Sequence, residues 1–361
     1  MRTTTLRASV AAGCVVAALG LTACGGSSTS GGGSGSGSKT IALLLPETAT
    51  PRYDKKDRPA FEARVKQLCA GCSIKYANAD GDPTKQQQQA EAALTAGAKV
   101  LVLDPANSAS AAAIVTEAKR AKAKVVSYDR LVAGADYYVS FKPERVGQLQ
   151  GQALIDKLKA EGKGSATIVM LNGDQTTDNA KQFKDGAHSA IDGSGLKVGR
   201  EYDTTGWTPA NAQNEMDQAI TALGKNGFAG VYAANDGLAS GAVAAMEKAG
   251  IDPSTRPVTG QDADLDGIQR IVAGQQYMTV YKPVKQEAGS AAQLAVALLN
   301  GRAPPAGLVN DTAAGGIPAV ILTPIVVTKA NVRTVVDDGF WSAGEICTQQ
   351  FASACQKAGL R

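Results

Sequence analysis

The chain has 361 residues, 44% hydrophobic and 19% charged, enough for about two domains with cores of their own. Its 37 basic and 33 acidic residues leave a formal net charge of +4, too balanced for an electrostatic case for nucleic-acid binding. A single histidine, His188, excludes a histidine-rich metal site, and no G-x-S-x-G elbow accompanies it to make a hydrolase triad.

In chain order, residues 1–24 read as an export signal. Arg2 and Arg7 form a positive start, Ala8 to Leu21 an apolar run too short for a comfortable membrane span, and Leu21-Thr22-Ala23-Cys24 matches the bacterial lipobox. Cys24 is the expected lipidation site. Residues 25–38 are almost wholly Gly and Ser, a flexible tether spanning on the order of 20 Å. Export favours disulfides. Cys69 and Cys72 lie near a helix C-terminus, the wrong end for a redox-active pair, and Cys347 and Cys355 lie near the end of the chain. Proximity favours 69–72 and 347–355, although four cysteines allow three pairings.

From Lys39 onward, strands and helices alternate. Strands are expected at 40–45, 73–77, 99–103, 124–128 and 137–140, with helices over 57–68, 83–96 and 108–121 between them. The pattern restarts with a helix over 143–159. Strands follow near 166–171, 198–202, 230–233, 258–260 and 278–281, with helices near 179–191, 210–223, 237–248 and 264–272. Two runs of this alternation imply an α/β protein of two similar doubly wound parallel-sheet lobes.

Open parallel sheets bind ligands beyond the carboxyl ends of their strands. Those positions here are polar or aromatic: Arg52 and Tyr53, Asp104, Asp129-Arg130, Asp178-Asn179, Trp207, Asn235-Asp236, Gln261-Asp262 and Lys282. Together they suit a small polyol, with hydrogen bonds to its hydroxyls and a ring over its apolar face. Each has a plainer alternative. Asp129-Arg130 could be a surface ion pair, Asn235-Asp236 a helix N-cap and Trp207 a lid on Pro209. Asp264 and Asp266 read as cap and first-turn charges. No dinucleotide fingerprint follows the first strand. Asp262 to Gly267 copies half an EF-hand loop, but Ala273 stands where its bidentate Glu belongs.

Several segments together resemble the periplasmic sugar-binding proteins of ATP-driven importers, nearest the xylose-binding and multiple-monosaccharide-binding subgroup. The carriers are Ser127-Tyr-Asp-Arg-Leu131, Tyr138-Val-Ser-Phe141, Val146-Gly-Gln-Leu-Gln150, Asp178-Asn-Ala-Lys181, Gly206-Trp-Thr-Pro209, Asn235-Asp236, Gly260-Gln-Asp-Ala-Asp264, Thr279-Val-Tyr-Lys-Pro283 and Leu322-Thr-Pro-Ile325. The resemblance implies a type I periplasmic-binding-protein fold with a three-segment hinge near 141–142, 281–282 and 322–323. The N-terminal lobe would be 39–141 plus 283–322, and the C-terminal lobe 142–282 plus 323–361. It further implies sugar contacts from Arg52, Tyr53, Asp129 and Arg130 on one side. Asn179, Asn235, Asp262 and Lys282 would serve the other, with Trp207 stacked on the ring. The pattern has tryptophan where Tyr53 stands, which bears on the choice of sugar.

The resulting expectation is a monomeric, lipid-anchored extracytoplasmic protein that delivers a monosaccharide to an importer's permease, without cofactor, metal or chemistry. Weighed against it are a sensory protein presenting sugar to a membrane receptor, a transcription regulator of the same fold, which would need a helix-turn-helix where this chain has a lipobox, and an extracellular sugar-active enzyme using paired carboxylates.

Overall fold

The computed structural model describes residues 39–360; the export signal 1–24, Cys24 and the tether 25–38 lie outside the described residues. The first half runs β1 (Thr40–Leu45), α1 (Arg58–Leu68), β2 (Ser73–Asn78), α2 (Pro83–Thr95), β3 (Ala98–Leu103), α3 (Ala111–Arg120), β4 (Lys124–Tyr128) and β5 (Tyr137–Phe141). Local chemistry sets the bounds. Asp82 caps α2 by accepting the Thr84 and Lys85 N–H groups, Pro83 starts it, and Gly97 takes the positive φ that ends it. A single wide π-helical turn, Tyr53–Asp57, leads into α1 where the sequence suggested a loop.

The second half runs α4 (Pro143–Ala160), β6 (Thr167–Asn172), α5 (Asp178–Ile191), β7 (Lys197–Asp203), α6 (Pro209–Leu223), β8 (Gly230–Ala233), α7 (Asp236–Lys248), α8 (Leu265–Ala273) and β9 (Met278–Tyr281). Beyond it come α9 (Val284–Leu299), β10 (Asp311–Ala313), β11 (Ile317–Leu322), β12 (Ile325–Thr328) and three short helices, α10 (Arg333–Asp337), α11 (Ala343–Ile346) and α12 (Ala352–Lys357). The strand expected at 258–260 forms only isolated bridges, Val231 to Val258 and Gln261 to Val280. The Thr259 hydroxyl bonds both the N–H and the carbonyl of Ala233, so a side chain occupies positions a regular ladder would use.

The N-terminal lobe holds a seven-stranded sheet, order β10-β11-β5-β4-β3-β1-β2, parallel except for β10. β1 shows how its two faces are filled. Ile41, Leu43 and Leu45 join one core with residues of α1 and α9, while Ala42 and Leu44 join the other with residues of α2 and α3. In the C-terminal lobe β7-β6-β8 is parallel and β12 pairs antiparallel with β9. The chain passes between lobes after β5, after β9 and after β11. This is the doubly wound two-lobe architecture.

Two close approaches fix the C-terminal lobe. A Cβ on Gly147 of α4 would lie 1.9 Å from the Phe183 carbonyl oxygen of α5, and one on Gly186 of α5 would lie 1.9 Å from that of Glu144. The two helices therefore touch backbone to backbone. Disulfides join Cys69 to Cys72 at the end of α1 and Cys347 to Cys355 in the tail, with Cα atoms 5.4 and 5.8 Å apart. Cys355 is buried in the core that α8 shares with the tail. Among the described residues no helix is long and apolar enough to cross a membrane.

Candidate functional site

Where the strand ends of the two lobes face each other lies a small pocket, with about 210 Å³ of space free of atoms, part of it open to solvent. Its lining is Thr50, Tyr53, Asp129, Arg130, Asn179, Phe183, Trp207, Asn235, Gln261, Asp262 and Lys282. All are at most 5% exposed, so the lobes stand closed over it. Eight of the nine sugar contacts that the resemblance implies line this one cavity. The ninth, Arg52, does not line it. Its guanidinium lies behind, among the carboxylates of Asp129 (2.7 Å), Glu287 (3.5 Å), Asp57 (3.6 Å) and Asp262 (3.7 Å). The Arg52–Asp129 pair is close but poorly angled, an ion pair rather than a hydrogen bond through that nitrogen.

Asp129 follows β4 with φ of 53°. Its N–H donates to Val139, and its carbonyl accepts from the Tyr138 and Ser140 hydroxyls, which hold the strained turn in place. Its carboxylate accepts from the Tyr53 hydroxyl at 2.8 Å and from Lys282 Nζ at 3.2 Å. Burial pushes the Asp129 pKa up, but Arg52, Lys282, Arg130 and the Tyr53 hydrogen bond outweigh it and hold the group below the usual carboxylate range. A carboxylate so held cannot act as a general acid. Lys282 Nζ also lies 3.0 Å from Asp262, so one ammonium bridges the acids of both lobes. Burial and Arg52 pull the Lys282 pKa down, and Asp129, Asp262 and Glu287 more than restore it.

Arg130 donates to the Pro105 carbonyl at 3.1 Å and to Glu47 at 3.3 Å, with Asp104 3.6 Å away. Both Asp104 oxygens lack hydrogen-bond partners among the described residues, and burial raises its pKa well above the ordinary value against the pull of Arg130. Asp104 thus stands behind Arg130 rather than on the wall.

The opposite wall differs. Asn235 is the N-cap of α7: its Oδ1 accepts the Leu238 N–H at 2.9 Å, leaving the side-chain NH2 for a ligand, so the cap and the wall are one residue. Trp207 has φ of 56°, after Gly206 at 69°. Its ring lies over Gly173, where a Cβ would come within 1.9 Å of the indole, and meets Phe183 edge-on at 6.3 Å. The Trp207 Nε1–H and the Gln261 Oε1 are buried without a partner among the described residues. Asp262 has φ of 90° and Ala263 of 51°. Of the six non-glycine residues with positive φ among the described residues, three line the cavity and a fourth adjoins it, a concentration of strain typical of binding sites.

The Asp178 side chain is half-buried and pairs with Lys181, so only Asn179 of that pair reaches the wall. The Asp236 carboxylate is buried beneath the site, accepting from the Asp264 N–H, Thr279 and Gln276. Thr50, Phe183 and Gln261 are wall residues beyond those chosen from the sequence. Gln261 stood among the strand-end polar residues and could have been chosen. Phe183, inside a helix, gave no signal apart from core.

A family model described as a periplasmic binding protein domain matches residues 41–303. The chain is 36% identical over 313 residues to the D-xylose-binding periplasmic protein of Escherichia coli, covering 85% of this chain and 92% of that protein. It is 30% identical over 331 residues to the multiple sugar-binding periplasmic receptor ChvE of Rhizobium radiobacter, again covering 85% and 92%. Among solved structures, an ABC transporter solute-binding protein from Clostridium phytofermentans with bound β-D-glucose aligns with a TM-score of 0.76 at 26% identity, covering 85% of this chain and 99% of that one. These relatives are solute-binding proteins rather than enzymes, and the chain belongs to the periplasmic binding protein family.

Proposed function

We propose that this protein captures one monosaccharide, xylose or a similar aldopentose or aldohexose, between its lobes and delivers it to the permease of an ATP-driven importer. The observation that carries this reading is the pocket lined by both lobes' strand ends, whose buried Trp207 Nε1–H and Gln261 Oε1 lack partners among the described residues. Each such group costs about 1–3 kcal/mol when left unpaired, and a sugar hydroxyl can pair with either. In this reading Tyr53, Asp129 and Arg130 grip the sugar from the N-terminal lobe, with Arg52 holding Asp129 in place. Asn179, Asn235, Asp262 and Lys282 grip it from the other side, and Trp207 covers the ring. D-Xylose and multiple sugars appear in the names of the relatives, and β-D-glucose is bound in the aligned structure.

The work done is a shift of conformational equilibrium. A ligand that contacts both lobes only when they close stabilises the closed form by its differential affinity. We place the lobes at 39–141 plus 283–322 and 142–282 plus 323–361. The body acts as a monomer, held at the outer face of the cytoplasmic membrane by lipid on Cys24 and the 25–38 tether. A thermal-shift screen over aldopentoses and aldohexoses, then calorimetry and chromatography of the recovered sugar, tests the function. A rise in melting temperature and an unaltered sugar are expected; no stabilising sugar, or a converted one, overturns it. For the anchor, a Cys24→Ser variant should leave the membrane fraction or lose processing, and unchanged fractionation and processing would refute lipidation.

A further inference from the structure

Besides the exposed Lys142–Asp311 ion pair at the first crossing (3.0 Å), contacts among the described residues join the lobes on two flanks of the cavity. On one flank, Ser108 donates its N–H to the Thr176 carbonyl at 3.2 Å and its hydroxyl accepts the Asp178 N–H at 3.1 Å. On the other, Lys56 of the turn Tyr53–Asp57 donates from Nζ to the Phe340 carbonyl, and the ammonium lies 3.5 Å from the Trp341 ring centroid and 5.3 Å from that of Phe340. Phe340 and Trp341 belong to the C-terminal lobe's core with Ile268, Val335 and Ile346. Burial, Lys285 and Lys55 all disfavour the Lys56 charge, while Glu345 favours it, so the ring and carbonyl receive an ammonium that its surroundings otherwise penalise.

The clasp and the cavity share their loops. Lys56 lies three residues after Tyr53. The Trp341 indole N–H donates at 2.8 Å to the carbonyl of Ala263, which follows Asp262. Trp341 is itself fixed by the Ser342–Glu345 capping box and, further on, by the Cys347–Cys355 disulfide. We propose that Lys56 is a closure clasp: by gripping Phe340 and Trp341 across the lobe boundary it stabilises the closed form and slows release of captured solute without touching it. This rests on the cavity being a solute site. It makes Lys56 an affinity-setting residue outside the wall, with a partner supplied by the C-terminal tail.

The test is Lys56→Met, which keeps the stem and removes the charge, read by stopped-flow and calorimetry with D-xylose and D-glucose. The dissociation rate should rise about three- to thirtyfold, with association little changed, as loss of one cation–π contact and one hydrogen bond implies. The ligand-free melting temperature should stay near that of the unmodified chain. Trp341→Phe, which keeps a ring but releases Ala263, should show a smaller rise. Unchanged dissociation in Lys56→Met, with the parent chain binding normally, overturns the clasp and leaves the sugar reading intact. If the parent chain binds neither sugar, the sugar reading fails for both probes and small-angle scattering of the ligand-free proteins decides the clasp. A larger radius of gyration for Lys56→Met then supports it, and equal radii overturn it.

Discussion

The two walls of the cavity are built on different principles. The N-terminal wall is backed by an ion lattice in which Arg52 and Arg130 are set among Glu47, Asp57, Asp104, Asp129 and Glu287, all buried. The C-terminal wall is mostly amides and rings, Asn179, Asn235, Gln261, Phe183 and Trp207, with unused hydrogen-bonding capacity. The first sets opposite charges at ion-pair distances from one another, although several of its atoms, both Asp104 oxygens among them, make no hydrogen bond among the described residues. The second gains partners only from what enters the cavity. Stability should therefore depend chiefly on the first wall, while the reward for a ligand is concentrated on the second.

The largest expected effect breaks the N-terminal wall. Asp129→Ala leaves Arg52 and Lys282 without their shared carboxylate, and breaking a buried pair costs about 3–5 kcal/mol. Sugar affinity should fall well over tenfold and the ligand-free melting temperature should fall with it; calorimetry and a thermal melt check both, and an unchanged melt contradicts the lattice. Next, Trp207→Phe removes an N–H that no protein group uses. Affinity should drop by about 1–3 kcal/mol, while the ligand-free melting temperature holds or rises. Equal losses of stability and affinity would erase the distinction between the walls.

A smaller effect concerns pH. Burial pushes Asp57 up to about 6 against Arg52 and the Tyr128 hydrogen bond, and burial pushes Asp236 up to about 7 against Arg270 and Gln276. Unfolded aspartates titrate near 3.9, so between about pH 4 and pH 7 the folded chain holds protons that the unfolded chain has lost. The contribution of these two groups is complete below pH 4 and is lost as pH rises to about 7. Melting temperature followed by calorimetry should fall across that window, and Asp236→Asn should flatten the fall. The smallest effect on binding belongs to the pair Cys69→Ala and Cys72→Ala, remote from both walls. Sugar affinity should stay constant while stability drops by about 2 kcal/mol, measured by denaturant titration.

Much of the C-terminal wall was legible because parallel strands deliver their last residues to one edge: Asn235 after β8, Asp262 after the 258–261 segment and Lys282 after β9. The same logic found Asp129 and Arg130. The ion lattice was hidden for a physical reason. Glu287 lies in the first turn of α9 and Asp57 just before α1, where a carboxylate normally reads as a solvated charge beside a helix N-terminus. Only the folding of α9 against the N-terminal lobe, after the chain has left and returned, buries Glu287 beside Arg52. Arg52 stands out in the sequence by its place before Tyr53, but its carboxylate neighbours, Asp57, Asp129 after β4, Glu287 of α9 and Asp262 of the other lobe, emerge only from the fold. The segment expected as strand 258–260 lies between β8 and β9 and bonds both, Thr259 N–H donating to Val231 and the Gly260 carbonyl accepting from Val280, but its bridges are isolated rather than a continuous ladder.

The backbone contact of α4 with α5 has a mechanical consequence. α4 begins directly after the first crossing between the lobes, and α5 carries Asn179 and Phe183 to the wall. With glycine at 147 and 186 there is no layer of side chains between the two axes to flex or repack, so the joint runs without backlash. A rotation of α4 at its crossing should therefore carry with it Phe183 and the Trp207 ring that Phe183 meets. A single added methyl at Gly147 would wedge the coupling open and tilt the aromatic cover, altering the fit around a solute from a position that never meets it.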